Sequence, residues 1–184
     1  MMKSKVPSYI VHYARGKPFQ SITNVPPRRL AGVIENLNET NAWGLDRFSH
    51  PEYLAQRIKT EKMMRHEFIG KGGRPTLEHP IYFFLGRHPG FEVNPNNKIY
   101  TIDLGFLFRE SVTFSYGDTM LSYVDENRKQ SGAQYQNQLC GKLFTLDQLE
   151  DLYSNPLFPL DSPLAVEAHL WVQPQIQIVT TLGR

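Results

Sequence analysis

The sequence predicts an α+β domain, and three observations indicate this class. Short runs rich in β-branched and aromatic residues, which are typical of strands, recur along the chain, whereas its longest helical patterns lie in the first half. Helices and strands do not alternate regularly, as they do in proteins with a parallel sheet. The chain has 184 residues, 40% of them hydrophobic, and shows no internal repeat or domain boundary. We therefore expect one domain over residues 1–184.

The beginning of the chain is predicted to hold a strand and then a helix. Tyr9–Tyr13 has the composition of a short strand. The prolines at positions 26 and 27 favour the start of a helix, because the first helical turn leaves its N–H groups unbonded. Apolar residues at helical spacing predict a buried stripe on this helix. The stripe consists of Leu30, Val33, Ile34 and Leu37.

A second helix is predicted to begin at Ser49, where Ser-x-x-Glu has the spacing of a capping box, and to end near Phe68. Its apolar side would contain Leu54, Ile58 and Met64. The rest of the helix is strongly basic through Arg57, Lys59, Lys62 and Arg65. Such charges are either a solvated face or a binding surface.

The second half of the chain is predicted to be mostly strands. These strands are 79–85, Lys98–Leu104, Val112–Ser115, Leu164–Val172 and Ile176–Leu182. Short helices are expected at Thr119–Asn127 and, after another capping-box pattern, at Thr145–Tyr153. Residues 128–142 are rich in Gln and Asn, so we expect an exposed loop there.

Composition and motifs exclude several classes of protein. The single Cys140 excludes a disulfide framework, and no H-E-x-x-H pattern occurs, so we expect no metal, although six histidines leave a His/Asp site open. No apolar run reaches the roughly 20 residues of a membrane span. There is no G-x-S-x-G motif, and the Gly70–Pro75 loop lacks the Lys-Ser/Thr ending of a P-loop. We expect a cytoplasmic protein without membrane contacts.

Charge is distributed unevenly along the chain. Residues 1–80 carry 13 Lys and Arg against 7 Asp and Glu, whereas residues 81–184 carry 7 against 11. A basic half is consistent with a surface that binds nucleic acid. Ordinary solvated helix faces give the same pattern, so the two interpretations stay open.

The strand Leu164–Val172 carries the strongest functional signal. Because side chains alternate along a strand, Glu167, His169 and Trp171 share one face, and the opposite face is apolar. An acid, an imidazole and an indole fill a core poorly, so this face would line a cleft with Glu167 as a catalytic group. The alternative is an edge strand whose polar face contacts water.

The residue types favour one kind of chemistry. One well-placed acid, rather than two, argues against ordinary glycosidase chemistry. A carboxylate such as Glu167 would stabilise an oxocarbenium-like ribose, and the aromatic residues Tyr82 and Phe84 would stack on a flat leaving base. Arginines would hold a diphosphate, and His12 lies on the first strand. The set suits cleavage of an N-glycosidic bond in a phosphate-bearing ligand.

Four segments in order resemble a known family. They are Ile10–Tyr13, Pro80–Gly90, Phe114–Asp118 and Val166–Leu170. Taken in the same order, the four segments are similar to a strand with the pattern aromatic-x-His and to the motifs P-F-Y-F-x-P-R-S-P-M, F-T-x-G-N and A-E-F-L-V. These motifs belong to the ADP-ribosyltransferase fold, and most closely to the DarT-type DNA ADP-ribosyltransferase toxins and their uncharacterised relatives. The chain departs from the family in a longer connection from Ala14 to Arg65 and in His169, which replaces an apolar residue.

The resemblance implies a split β-sheet core with N-terminal helices, and NAD as the substrate. Glu167 would hold the ribose 2′-hydroxyl and assist attack by the acceptor, and Arg65 or Arg57 would bind the diphosphate. The implied catalytic residues are Glu167, Arg65 and His12. The implied NAD-binding residues are His12, Tyr13, Arg57, Tyr82, Phe84 and Arg87.

By the same resemblance, the enzyme would be a mono-ADP-ribosyltransferase that modifies a nucleic-acid base or a protein side chain. It would act as a toxin or defence component, with an antitoxin as a partner. Two other hypotheses stay open. One is a non-catalytic module that binds nucleic acid or protein through Pro51–Phe68 and Gly70–Pro75. The other is a nucleic-acid phosphotransferase or nuclease that uses His12, Arg87 and His88.

Overall fold

The computed structural model describes residues 6–39, 46–92, 97–158, 164–175 and 179–182. The strands in this part of the chain are β1 (Tyr9–Ala14), β2 (Ile81–Leu85), β3 (Lys98–Asp103), β4 (Val112–Tyr116), β5 (Leu143–Thr145), β6 (Val166–Leu170) and β7 (Val179–Leu182). The helices are α1 (Pro27–Glu39), α2 (Pro51–Gly70), α3 (Pro89–Glu92), α4 (Thr119–Ser122), α5 (Asp125–Gln130) and α6 (Leu149–Ser154). The predicted α+β class is confirmed.

The strands pair in one antiparallel sheet, in the order β5-β4-β6-β2-β1-β3-β7. β6 therefore lies inside the sheet, between β4 and β2, and the edge-strand alternative is wrong. The shortest ladder joins β1 to β2, which pair only at Ile10↔Leu85 and Val11↔Phe84. The strand order is thus continuous, whereas the resemblance implies a split sheet.

One face of the sheet carries the main hydrophobic core. Ile10, Phe83, Ile102, Phe114 and Ala168 lie on this face and are buried. Their strand partners share the face, because paired residues of antiparallel strands point to the same side. This core is apolar throughout, as the alternation of the strand sequences predicts.

Residues 128–142 are not the exposed loop predicted from their composition. Tyr135, Leu139 and Cys140 are buried in the main core. A short 3₁₀ helix, Ala133–Gln136, lies within this region, and the unpredicted strand β5 follows it. The prediction failed because it used the average composition of the segment, which is rich in Gln and Asn. Burial is decided by a few apolar side chains within it.

The opposite side of the sheet is here called the Glu167 face. On it lie Tyr82, Phe84, Thr113, Ser115, Glu167 and His169. Helix α2 packs on this face, where Met64 and Phe68 form a second apolar cluster with Leu143 and Trp171. The Glu167 face is therefore partly covered by a helix rather than open along its whole length.

Helix α2 differs from its prediction at both ends. It begins at Pro51 with His50 as the N-cap, and no side-chain capping bond forms, so the capping box predicted at Ser49 is not used. Proline fits the first helical position, which moves the cap to the residue before it. The helix ends at Gly70. No helix in the described part of the chain is long and apolar enough to cross a membrane.

The inward side of α2 is mixed rather than apolar. Its buried residues are Arg57, Thr60, Glu61, Met64 and Phe68. Met64 was predicted correctly, but Leu54 and Ile58 are only half-buried and line cavities beside the helix. The predicted helix phase was wrong because a buried ion pair occupies the inward side.

The apolar stripe of α1 does not lie in the core. Leu30, Val33 and Ile34 are half-buried, and Leu37 lies outside the described side chains. Leu30 and Val33 line surface cavities, and the helix packs against the Asp46–Ser49 turn. The stripe therefore covers neighbouring segments rather than the sheet.

Later elements follow the predictions more closely. The capping box at Thr145 is present, with Gln148 as its second member. The helix predicted at Thr119–Asn127 is two short helices, α4 and α5. The last strand is described from Val179, and residues 176–178 of its predicted range lie outside the described residues.

Candidate active site

Glu167 lies in the middle of the sheet. Its main-chain neighbours are Phe84 on β2 and Ser115 on β4. Its side chain is 15% exposed, so it is largely buried but keeps a small contact with solvent. A partly desolvated acid at this position has the access that a catalytic group needs.

The turn after β4 holds the Glu167 carboxylate. Gly117 has a φ of 82°, which favours glycine and lets the chain reverse directly after the strand. The next residues then start α4, and Thr119 donates to Glu167 Oε2 from its main-chain N–H at 2.9 Å and from its hydroxyl at 2.6 Å. Both Thr119 bonds go to Oε2, so Oε1 is free of them.

A second carboxylate lies on the same turn. Asp118 caps α4 by accepting hydrogen bonds from the main-chain N–H groups of Met120 and Leu121. Its other oxygen lies 3.6 Å from the guanidinium of Arg47. The turn from Gly117 to Thr119 therefore places two acids within electrostatic range of each other.

The two acids titrate in opposite directions. Burial by itself raises the pKa of Glu167, but His169 and the two Thr119 donors outweigh it and hold the pKa below its ordinary value. Burial, and then the charge of Glu167, raise the pKa of Asp118. Glu167 is therefore the acid that stays ionised.

His169 and Trp171 do not line a cleft, contrary to the sequence prediction. Both are fully buried. His169 lies 2.8 Å from the Thr119 hydroxyl and 3.3 Å from the Thr113 hydroxyl, and the indole N–H of Trp171 donates to Thr113 at 2.9 Å. Hydrogen bonds with these hydroxyl groups offset the cost of burying the polar atoms of His169 and Trp171. His169 therefore contacts Thr119, which positions Glu167, and neither His169 nor Trp171 is exposed to a ligand.

A buried polar network joins α2 to the Glu167 face, and the sequence did not reveal it. Glu61 is fully buried and accepts from Arg57 at 2.9 Å and from the Tyr82 hydroxyl at 3.0 Å. Its second oxygen lies 2.8 Å from His79 Nδ1. The Arg57 guanidinium lies 4.1 Å from the centre of the Tyr82 ring. The i, i+4 spacing of Arg57 and Glu61 was the available signal.

The structure separates the two arginines that the sequence left as alternatives. Arg57 lies on the inward side of α2 and contacts Tyr82, which is on the Glu167 face. Arg65 instead donates to the main-chain carbonyls of Pro75 and Leu77. Arg65 is therefore not brought to the site, and Arg57 is largely enclosed by its own ion pair.

Arg47 is an arginine at the site that the sequence did not single out. It lies beside Asp118 and is 41% exposed, and its guanidinium packs 5.2 Å from the Tyr53 ring centre. Its cation is more open to a ligand than that of Arg57. The sequence offered no signal, because Arg47 precedes α2 in a short 3₁₀ helix.

Aromatic side chains next to Glu167 form a cluster. Phe84 contacts His88 and Phe91, with ring centres 4.6 and 5.0 Å apart. Tyr13 stacks on Phe91 and accepts a hydrogen bond from the main-chain N–H of His88. All four rings are half-buried, so part of each faces solvent. Such a cluster can pack against a flat ring beside the carboxylate.

Arg87 is exposed and forms an ion pair with Glu92. Glu92 also accepts from the Tyr13 hydroxyl at 3.2 Å. Arg87 therefore stabilises the turn after β2 at the outer side of the aromatic cluster. Its predicted role in NAD binding stays a prediction.

His12 is not brought to Glu167. It alternates with Val11 on β1, so it lies on the side of Phe83, and its ring contacts Phe83 and Phe19. Nε2 accepts from the Phe19 main-chain N–H at 3.1 Å, so Nδ1 carries the proton and donates to the Tyr82 carbonyl at 2.8 Å. Burial lowers the pKa of His12. The ring is a neutral bridge across the short β1–β2 ladder.

Three cavities lie near the site but do not contain it. Their volumes are about 650, 340 and 410 Å³, and they lie along α2 and the segment Lys17–Pro27. Glu167 is not among the residues that line them.

Among the residues that the structure describes, no group of three or more His, Cys, Asp or Glu side chains could hold a metal ion. Comparisons of the chain with family models, curated proteins and solved structures found no match. The fold and the site define an α+β protein with a largely buried glutamate beside half-buried aromatic rings.

Proposed function

We propose that the protein is a NAD-dependent mono-ADP-ribosyltransferase and that Glu167 supplies its catalytic carboxylate. The position of Glu167 carries the proposal. Its carboxylate is held ionised by Thr119, is partly open to solvent and lies beside the aromatic ring of Phe84. An anion fixed next to a surface that can stack a flat base suits a reaction in which positive charge develops on ribose.

The chemistry follows from that charge. The bond between ribose C1′ and the nicotinamide nitrogen breaks, and nicotinamide leaves with the bonding electrons. The ribose then carries positive charge, which the Glu167 anion stabilises while it accepts a hydrogen bond from the 2′-hydroxyl. The acceptor attacks C1′ and loses its proton to Glu167, which passes it to solvent. The low pKa of Glu167 keeps the group ionised before each turnover.

Other side chains have supporting roles in this proposal. Phe84, with Tyr13 beside it, would contact the nicotinamide ring, and Tyr82 would contribute mainly by holding Arg57. Arg47 is better placed than Arg65 to meet a diphosphate, because it is exposed and lies beside Asp118. Any contact of His12 with NAD requires Nε2 to exchange its bond from the Phe19 N–H.

We further propose nucleic acid as the acceptor, with a protein side chain as the alternative. The excess of Lys and Arg in residues 1–80 supports a nucleic-acid acceptor, because phosphate contacts dominate such binding. Two of these basic residues lie near the Glu167 face: Arg47 beside Asp118, and Arg57 over the Tyr82 ring.

The test is transfer of label from NAD to a cell extract. Wild type is compared with Glu167→Gln, which removes the charge at constant shape, and with Glu150→Gln, a matched change at an exposed glutamate of α6. We expect label with wild type and Glu150→Gln and none with Glu167→Gln. Nuclease and protease treatment then identifies the acceptor. Equal labelling by the Glu167→Gln protein would refute the proposal.

A further inference from the structure

A groove of about 650 Å³ lies on the outer side of α2, away from the sheet. Ile58, Met63 and Tyr123 contribute apolar surface to it, and Lys59, Lys62 and His66 bring basic groups. None of these residues belongs to the buried inward side of the helix. The groove is therefore separate from the Glu167 face and independent of the proposed catalysis.

The apolar surface of this groove is unusual for a helix whose other side already packs on a sheet. Met64 and Phe68 use the inward side, yet Met63 is 45% exposed and Ile69 is 46% exposed on other sides of the same helix. A surface helix normally has one apolar stripe, and a helix with apolar residues on both sides is usually covered on both. The outer side of α2 has the composition of a contact surface.

Basic side chains outnumber acidic ones around the groove. Lys59, Lys62 and His66 are exposed. Glu67 is the carboxylate in the lining, and it is already bound by Lys71 Nζ at 2.8 Å and by the Tyr123 hydroxyl at 2.5 Å. A ligand that brings acidic groups would therefore meet basic partners, while the engaged Glu67 would repel it little.

The dimensions of the groove match a short helix. Its α2 residues run from Ala55 to Glu67, about three helical turns or roughly 18 Å. Apolar and basic side chains are interleaved along this length, so a matching surface alternates apolar and acidic groups at helical spacing. We propose that the outer groove of α2 binds an acidic amphipathic helix of a partner protein.

Nucleic acid fits this groove less well than a helix does. Most contacts to a nucleic acid go to phosphate and sugar, which do not cover apolar side chains. Ile58 and Met63 would keep their apolar surface in water in such a complex. A helix with apolar and acidic residues satisfies both features of the groove.

The proposal is tested by selection from a displayed library of random peptides of about 14 residues, a length of nearly four helical turns. We expect the enriched peptides to combine apolar residues with Asp or Glu at spacings of three and four. A synthetic copy of one of them should bind wild type, and added salt should weaken the binding. No enrichment, or enrichment of peptides without acidic residues, would overturn the proposal.

Variants locate the binding surface. Lys62→Glu should weaken the synthetic peptide about tenfold, and Met63→Ser should weaken it several-fold. Lys98→Glu, a matched change at an exposed residue of β3, should bind like wild type. Circular dichroism checks that each variant is folded. Equal peptide binding by the Lys62→Glu and Lys98→Glu proteins contradicts the proposal. Binding of a labelled DNA duplex that depends on Lys62, without binding of any peptide, also contradicts it.

Discussion

Thr119 and His169 together keep Glu167 ionised, and Thr119 does so through direct hydrogen bonds. Its hydroxyl and its main-chain N–H both donate to the same carboxylate oxygen, and its side chain is fully buried. Hydrogen bonds to the charged form of an acid lower its pKa. The turn that positions Glu167 thus also sets its ionisation.

Replacing Thr119 by Val should raise the pKa of Glu167 and destabilise the fold by about 1–3 kcal/mol, because a buried bond to a charged group is lost at nearly constant shape. Carbon-13 NMR of the Glu167 carboxyl and urea unfolding measure the two effects. Ser131→Ala, which removes a hydroxyl bonded only to main-chain carbonyls, is the comparison. An unchanged Glu167 titration in the Val variant would contradict the assigned role of the hydroxyl.

The contribution of Asp118 to stability should change with pH in the opposite direction to that of Glu167, because the pKa of Asp118 is raised. A carboxyl with a raised folded-state pKa gives stability at low pH that is lost as pH rises through that pKa. Asn caps a helix as well as Asp does. Asp118→Asn should therefore gain stability relative to wild type at neutral pH but not at acidic pH, and the pKa of Glu167 should fall further. Unfolding curves at both pH values measure this difference in stability. A gain in the stability of the Asn variant at acidic pH alone would contradict the raised pKa of Asp118.

At the scale of elements, α2 is held to the sheet by charge as well as by apolar contact. Glu61, Arg57 and Tyr82 connect the helix to β2 without access to water, since Glu61 is fully buried. A buried ion pair adds little net stability, but removing one partner leaves the other unpaired. The network therefore fixes the helix in one position more than it stabilises the fold.

Glu61→Gln should cost about 3–5 kcal/mol because Arg57 loses its counter-ion. The double variant Arg57→Met, Glu61→Leu should cost less, since it leaves no unpaired guanidinium and only Tyr82 and His79 lose their acceptor. Glu67→Gln, which breaks a half-exposed ion pair on the same helix, should cost less than about 1 kcal/mol. Chemical denaturation of the three proteins tests the ranking. A double variant that is less stable than Glu61→Gln would refute the account of the network.

The strands could be predicted because β1, β2, β3, β4 and β6 are short runs that contain β-branched or aromatic residues. The side of α2 that faces the sheet could not be predicted. The rule that apolar residues face inward fails there, because Arg57 and Glu61 form a buried ion pair. Glu167 was found from strand alternation alone. Its partner Thr119 was not, because their contact joins a turn to a strand 48 residues away in sequence.

At the scale of the whole molecule, the sheet has one weakly paired junction. β1 and β2 form two residue pairs, and His12 bridges them by bonding the Tyr82 carbonyl and the Phe19 N–H. Phe19 has a φ of 59°, which is rare outside glycine, so this turn depends on its surroundings. The junction lies beside the strand that carries Tyr82 and Phe84.

Amide hydrogen exchange should reveal this junction. Protection should be high in the β1–β3 ladder, which has six residue pairs, and lower between β1 and β2. His12→Ala should increase exchange at Phe19 and around the junction while the β4–β6 ladder stays protected. Uniform protection across the sheet, or an unchanged Phe19 amide in the variant, would contradict the bridging role of His12.

The most direct test of the account is the rate of nicotinamide release from NAD by the purified protein, measured for wild type, Glu167→Gln and Glu150→Gln. Removing a group that stabilises charge in the transition state typically lowers the rate by about a hundredfold or more. The account predicts this loss in Glu167→Gln alone, with NAD binding retained. Release at equal rates by all three proteins, or no release by folded wild type in the presence of a cell extract, would contradict it.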